Sequence, residues 1–275
     1  MAKIVSSIVL IVLYVSSQTL AEDVGVKSRK LCEEHNVLKS PRTRRVVGGS
    51  DSELKEFPHM VALAHRSDNK LEFFCAGTLI SDKYVLTSPI CFKRGVDVAR
   101  FGSNDLQSEE GVQEIEVERV IAHPKYNDSI NDIGLVELKS AVKFTDFVKP
   151  ACLNTEKLSA SERTYLITGW GDHHKVGTKL QKAEVKEVEF DKCVEAYKTK
   201  LDIVDEDHIC AREDGVDTCI GDSGAPLQMK NPDYVSAYDV HGVTSYGPVP
   251  CGKSSKPSTY TRVSNHIAWI ESIIF

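Results

Sequence analysis

The run with the clearest chemical meaning in this sequence is Gly221-Asp222-Ser223-Gly224. A nucleophilic serine needs a tight turn that exposes its hydroxyl and aims backbone N–H groups at one point, and flanking glycines permit such a turn. The chemistry would be attack on a carbonyl carbon, with the developing oxyanion held by those N–H groups. Taken alone, the run is more often an ordinary surface turn. A serine hydroxyl also needs a base, and the nine histidines, at 35, 59, 65, 123, 173, 174, 208, 241 and 266, are the natural source.

The elements that must position such a turn read as short strands. Met60 to Ala64, Phe73 to Ile80, Tyr84 to Thr87, Glu114 to Ile121 and Lys182 to Val188 are rich in β-branched and apolar residues or alternate apolar with polar. Helical spacing is convincing only at the end, where Ile267, Ile270 and Ile274 follow Ser264 as a predicted cap. The reading is an all-β protein closed by one helix. No repeat or low-complexity tract interrupts it.

Composition narrows the class. With 41% hydrophobic and 27% charged residues in 275, the chain must build a core and is neither disordered nor fibrous. Thirty-four Lys and Arg against 40 Asp and Glu give a net charge of −6, which argues against nucleic acid or anionic lipid as partners. The long apolar run, Ile4 to Val15 behind Lys3, is short for a membrane span and ends at the small residues Thr19 and Ala21, so it predicts a secretory signal over 1–21. A secreted, extracellular, soluble protein follows, with Asn127 in Asn127-Asp128-Ser129 as a glycan acceptor. The eight cysteines, at 32, 75, 91, 152, 193, 210, 219 and 251, predict four disulfides with the pairing left open. No Cys-x-x-Cys pair calls for a metal. Residues 22–45 are polar and end in Arg42-Thr43-Arg44-Arg45 before Val46-Val47-Gly48-Gly49, which reads as a pro-segment with a cleavage site.

The serine run falls in register with Val46-Val47-Gly48-Gly49, Leu86-Thr87-Ser88-Pro89-Ile90-Cys91, Asn131-Asp132-Ile133-Gly134-Leu135, Thr168-Gly169-Trp170-Gly171, Ser245-Tyr246-Gly247 and Pro257 to Val263. In order and spacing over residues 46–275 the chain resembles the trypsin-like serine proteases of the chymotrypsin fold. The resemblance implies two six-stranded antiparallel β-barrels with an active site between them and a C-terminal helix. It implies the bridges Cys75–Cys91, Cys193–Cys210, Cys219–Cys251 and Cys32–Cys152, the last tethering the pro-segment after cleavage. Tyr165 and Met229 stand where many relatives carry a further bridge.

In that family a histidine just before the cysteine of the Leu-Thr run takes the serine proton and an aspartate orients it. Asp132 and Ser223 match, but the histidine position holds Ile90. Leu86, Thr87 and Cys91 fix the register, and no histidine lies within twenty residues on either side. Isoleucine cannot accept a proton, so Ser223 lacks a general base. In subtilisin, a convergent serine protease, losing the histidine alone costs about 2 × 10⁶ in turnover.

The remaining parts are implied to be present. Gly221 and Ser223 would supply oxyanion donors. Asp217 matches the floor of a pocket for Arg or Lys, with Gly247 on one wall. Ser258 stands where the other wall is normally glycine and should narrow the pocket. Cleavage after Arg45 by another trypsin-like protease would free the Val46 amine to pair with Asp222. Glu109, Glu110, Glu114, Glu116 and Glu118 read as a solvated face rather than a calcium loop, and His173-His174 as surface histidines. No cofactor is called for.

The functional expectation is a secreted, proteolytically inactive homologue acting as a binding or regulatory cofactor in an extracellular protease cascade, with active serine proteases or their substrates as partners. Immune and clotting pathways are the setting by analogy. The alternative is an active endopeptidase cleaving after Arg or Lys with His59, His65 or Lys93 as a substitute base. A purely structural or adhesive role is the third possibility.

Overall fold

The computed structural model describes residues 24–36, 50–68, 70–128, 130–156, 163–172, 176–198, 206–235 and 237–275. The signal at 1–21, Arg45, Val46, the glycan-site Ser129 and His173-His174 lie outside the described residues.

Six strands close the first barrel in the order β2-β3-β4-β7-β6-β5. They are β2 (Met60–Ser67), β3 (Lys70–Leu79), β4 (Tyr84–Thr87), β5 (Val98–Phe101), β6 (Gln113–Ala122) and β7 (Gly134–Leu138). Alternation explains β6: Ile115 and Val117 pack on the core while Glu114, Glu116 and Glu118 face outward. The interior is filled by Val61, Leu63, Leu79, Val85, Phe101 and Val136, all essentially inaccessible. Burying each such side chain contributes about 1.5–3 kcal/mol before chain entropy is counted. The acidic stretch has a structural use, because the buried Arg100 guanidinium binds Glu114 at 2.6 Å and Glu109 at 2.9 Å.

The second barrel uses β9 (Thr164–Gly171), β10 (Val176–Glu187), β11 (His208–Arg212), β12 (Pro226–Lys230), β13 (Tyr238–Tyr246) and β14 (Ser258–Arg262). Their order is β10-β11-β14-β13-β12-β9, and pairing of β9 with β10 closes the ring. Two short strands sit outside it, β1 (Ser50–Asp51) on β10 and β8 (Cys152–Leu153) parallel to β13. Tyr165, Ile167, Leu227 and Tyr260 fill this barrel, and Met229 packs against the same cluster as Tyr165. Leu86, Ile133, Val240, Val263 and Ile267 form an apolar layer drawn from both barrels and the terminal helix. That layer sets the two barrels against one another.

Among the described residues there are three helices where the sequence predicts one. The terminal helix α3 runs Ile267–Ile274, and its cap is His266, with Ser264 inside a preceding 3-10 turn. The additional helices are α1 (Val26–His35) and α2 (Phe190–Tyr197). Helix α2 is short and buries only Cys193 and Tyr197, one turn apart, so its apolar stripe is too narrow to read in sequence. Helix α1 has no apolar stripe and is held from outside. The buried Glu271 carboxylate of α3 accepts the Gly25 and Ser28 N–H groups at 3.0 and 2.8 Å, satisfying the open end of α1.

Four disulfides join Cys32 to Cys152, Cys75 to Cys91, Cys193 to Cys210 and Cys219 to Cys251. The first ties α1 to β8. Among the described residues no helix is long and apolar enough to cross a membrane.

Candidate active site

Loops from both barrels meet where the layers touch. Ile90 lies in the 3-10 turn Pro89–Arg94 just after β4, and Asp132 just before β7, both in the first barrel. Ser223 precedes β12, and Ser245 ends β13, in the second. Direct bonds fasten the junction. The Ser223 carbonyl accepts the Ala76 N–H at 3.0 Å, and Cys91 Sγ lies 3.5 Å from that same carbonyl. Gly224, with φ +82°, tolerates no side chain, because a Cβ there would stand 2.0 Å from Thr87 Oγ1.

The serine is partly exposed, and among the described residues nothing is hydrogen-bonded to its hydroxyl. Asp222 and Gly224 donate their N–H groups to the Cys219 and Thr244 carbonyls. The alternating Gly221 and Ser223 N–H groups have no backbone acceptor among the described residues, so both remain available as donors. Gly221 takes φ +102°, a backbone setting that favours glycine.

Ile90 is 37% exposed. Its backbone N–H donates to Ser88 Oγ at 3.3 Å, and its side chain is wholly aliphatic. Asp132 is 1% exposed and is held by hydroxyls instead of an imidazole. Ser88 Oγ donates to its Oδ1, and Ser245 Oγ to its Oδ2 at 2.6 Å. Thr261 Oγ1 donates to its backbone carbonyl at 2.8 Å. Burial raises the Asp132 carboxyl above its ordinary value, and the two serine bonds oppose that shift.

The three side chains expected as substitute bases have other surroundings. His59 is buried between Phe57 and Tyr238, and burial pushes its imidazole down to about 4. His65 Nδ1 faces Asp97 at 2.8 Å. Lys93 pairs with Asp128 at 3.1 Å.

Asp217, Gly247 and Ser258 come together in space. Ser258 Oγ donates to Asp217 Oδ1, and the Gly252 N–H donates to Oδ2 at 3.2 Å. The walls nearly meet: a Cβ on Gly247 would come within 2.8 Å of Ser258 Oγ. Burial raises the Asp217 carboxyl, with the Ser258 bond opposing.

Asp222 occupies a different setting. Its carboxylate accepts the Gly171 N–H at 2.7 Å and the Cys219 N–H at 2.9 Å. It lies so close to the Gly169-Trp170-Gly171 segment that a Cβ on Gly169 would sit 1.9 Å from Oδ1, which explains both glycines. Burial pushes this carboxyl up to about 6. A cavity of about 340 Å³ adjoins it, lined also by Gly169, Lys182, Asp217 and Cys219. Lys182 supplies no counter-charge there, since its ammonium binds both Glu56 oxygens at 2.7 Å.

The sequence reading assigned no role to Ser88 or Ser245. The signal for Ser88 was present, because a serine before a proline that opens a 3-10 turn is a capping pattern. Asn127 is exposed. Among the described residues no group of three or more His, Cys, Asp or Glu is arranged to hold a metal.

The Trypsin family model matches residues 46–270. Serine protease ea of Drosophila melanogaster is 32% identical over 267 residues, covering 84% of this chain and 68% of its own length. Phenoloxidase-activating factor 3 of Holotrichia diomphalia is 33% identical over 253 residues, 82% of this chain and 72% of its own. CLIP domain-containing serine protease HP8 of Bombyx mori is 36% identical over 259 residues, 83% of this chain and 69% of its own. The chain thus spans about two thirds of the length of the relatives it matches.

Proposed function

The chain belongs to the trypsin family of serine proteases, and from that premise we propose that it is a secreted, proteolytically silent member that works by binding. The observation carrying this reading is Ile90 at the position where the family pattern has its histidine, together with a Ser223 hydroxyl to which no described imidazole is bonded. Without a base the hydroxyl stays protonated at neutral pH and is a poor nucleophile.

In this reading 1–21 is a signal, 22–45 a pro-segment and 46–275 the protease-like domain. Cleavage after Arg45 by a trypsin-like protease delivers the Val46 amine to Asp222, and the cavity beside that carboxylate supports the idea. Helix α1, docked on Glu271 and bridged to Cys152, stays attached after the cut. The switch then reshapes a binding surface rather than an active site. Partners are extracellular proteins, active proteases of a cascade or their substrates. Relatives named for melanization and phenoloxidase activation support an immune setting.

Turnover of arginyl amides by the protein cut after Arg45 tests the proposal. The expected result is no hydrolysis above that of the Ser223→Ala variant. Efficient hydrolysis that Ser223→Ala abolishes removes it.

A further inference from the structure

We propose that Ser88 is a positioning residue that keeps the Asp132 carboxylate and the backbone of residue 90 in mutual register, so that the silent centre still holds the seat of an imidazole. The inference deepens the reading above, since it takes position 90 as the vacated base.

Pro89 has no N–H to offer. The Ile90 N–H goes to Ser88 Oγ at 3.3 Å, and the Cys91 N–H to the Ser88 carbonyl at 3.1 Å. None of these three positions donates a backbone N–H to Asp132. A buried carboxylate without donors is costly, because the solvation it gave up is not replaced. The Ser88 hydroxyl, with no exposure at all, fills the gap by donating to Asp132 Oδ1 while accepting from Ile90. One side chain therefore bridges the backbone of residue 90 to the carboxylate. With Ser245 on Oδ2, each oxygen carries one hydroxyl partner and keeps a second acceptor site, because a carboxylate accepts about four bonds in all. A histidine at position 90 would start from a backbone already tied to its orienting acid.

The variants Ile90→His, Ile90→His with Ser88→Ala, and Ile90→His with Ser88→Thr test this after cleavage at Arg45. The readout is the rate at which a small fluorophosphonate modifies Ser223, which needs no occupant in the Asp217 pocket. Ile90→His is expected to raise that rate over the wild type by about 10³ or more. Adding Ser88→Ala should remove at least about tenfold of the gain, and Ser88→Thr should keep it. Titration of the introduced imidazole by nuclear magnetic resonance gives a second readout. Pairing with Asp132 should hold it above the ordinary histidine value in Ile90→His, and Ser88→Ala should return it toward that value. Tyr126, His208 and Lys93 are the other ionisable groups within electrostatic reach of Asp132 and are common to all variants. A folded Ile90→His no faster than wild type, or equal rates and imidazole titrations with and without the Ser88 hydroxyl, overturns the assignment. Fast labelling of the wild type instead overturns the proposed silence and leaves the role of Ser88 to the titration.

Discussion

Asp132 and Asp222 are both buried carboxylates raised by burial, yet their surroundings differ in kind. Hydroxyl side chains close on each oxygen of Asp132. Among the described residues Asp222 has two backbone N–H donors, and a cavity of about 340 Å³ stands beside it. The first carboxylate is satisfied by two serine hydroxyls. The second is paired with no cation among the described residues. In the proposed reading the two carboxylates stand for two halves of protease machinery: proton transfer, which it holds to be missing, and a conformational switch, which it holds to be retained.

The largest expected effect follows from the open carboxylate. Asp222 titrates near 6 in the folded single chain against about 3.9 when unfolded, so its protonation stabilises the fold. That contribution, about 3 kcal/mol, is fully present below pH about 4 and lost as pH rises through about 6. His59 and His241, both held down to about 4, tilt the total curve the other way, because their contribution is present above pH about 6.5 and lost on acidification. The signature is therefore the stability of wild type minus that of Asp222→Asn, measured by denaturant unfolding from pH 4 to 8. It should fall by about 3 kcal/mol in the uncut chain. In the chain cut after Arg45 the fall should disappear, because an ammonium beside the carboxylate lowers its titration. An unchanged slope after cutting breaks the comparison at its Asp222 side.

A smaller effect is expected at the closed carboxylate. Ser245→Ala leaves Asp132 Oδ2 without its hydroxyl and should cost about 2 kcal/mol in unfolding free energy. A change below about 0.5 kcal/mol would mean that water replaces the hydroxyl and that Asp132 is not sealed.

How much of this was legible in the sequence differs by element. Ile90 was legible because the residues that fix its register are its immediate neighbours, Leu86, Thr87 and Cys91. The barrel strands were legible wherever apolar and polar residues alternate or cluster, as in β6. The partners of Asp132 were not, since Ser88 and Ser245 lie 44 and 113 residues away and two hydroxyls carry no motif. Helix α2 was hidden because one of its two buried positions is Cys193, which counts as a bridge before it counts as a helix face. Helix α1 was hidden because its cap comes from Glu271, at the other end of the chain. Distant polar partners are set by topology, and local pattern does not encode them.

The smallest effect concerns Asp217, which lies between the two extremes. Ser258→Gly frees one carboxylate oxygen and opens the gap facing Gly247. Benzamidine should then bind at least about tenfold more tightly than to the wild type, as followed by calorimetry. Equal affinity would show that Ser258 does not restrict the pocket.

Silence for want of a base is tested most directly by phosphonylation of the wild-type protein cut after Arg45. A small fluorophosphonate reports the nucleophilicity of Ser223 without requiring the Asp217 pocket. Intact mass measurement should find Ser223 unmodified after an exposure that fully labels trypsin. Complete modification on the timescale of trypsin would contradict the account.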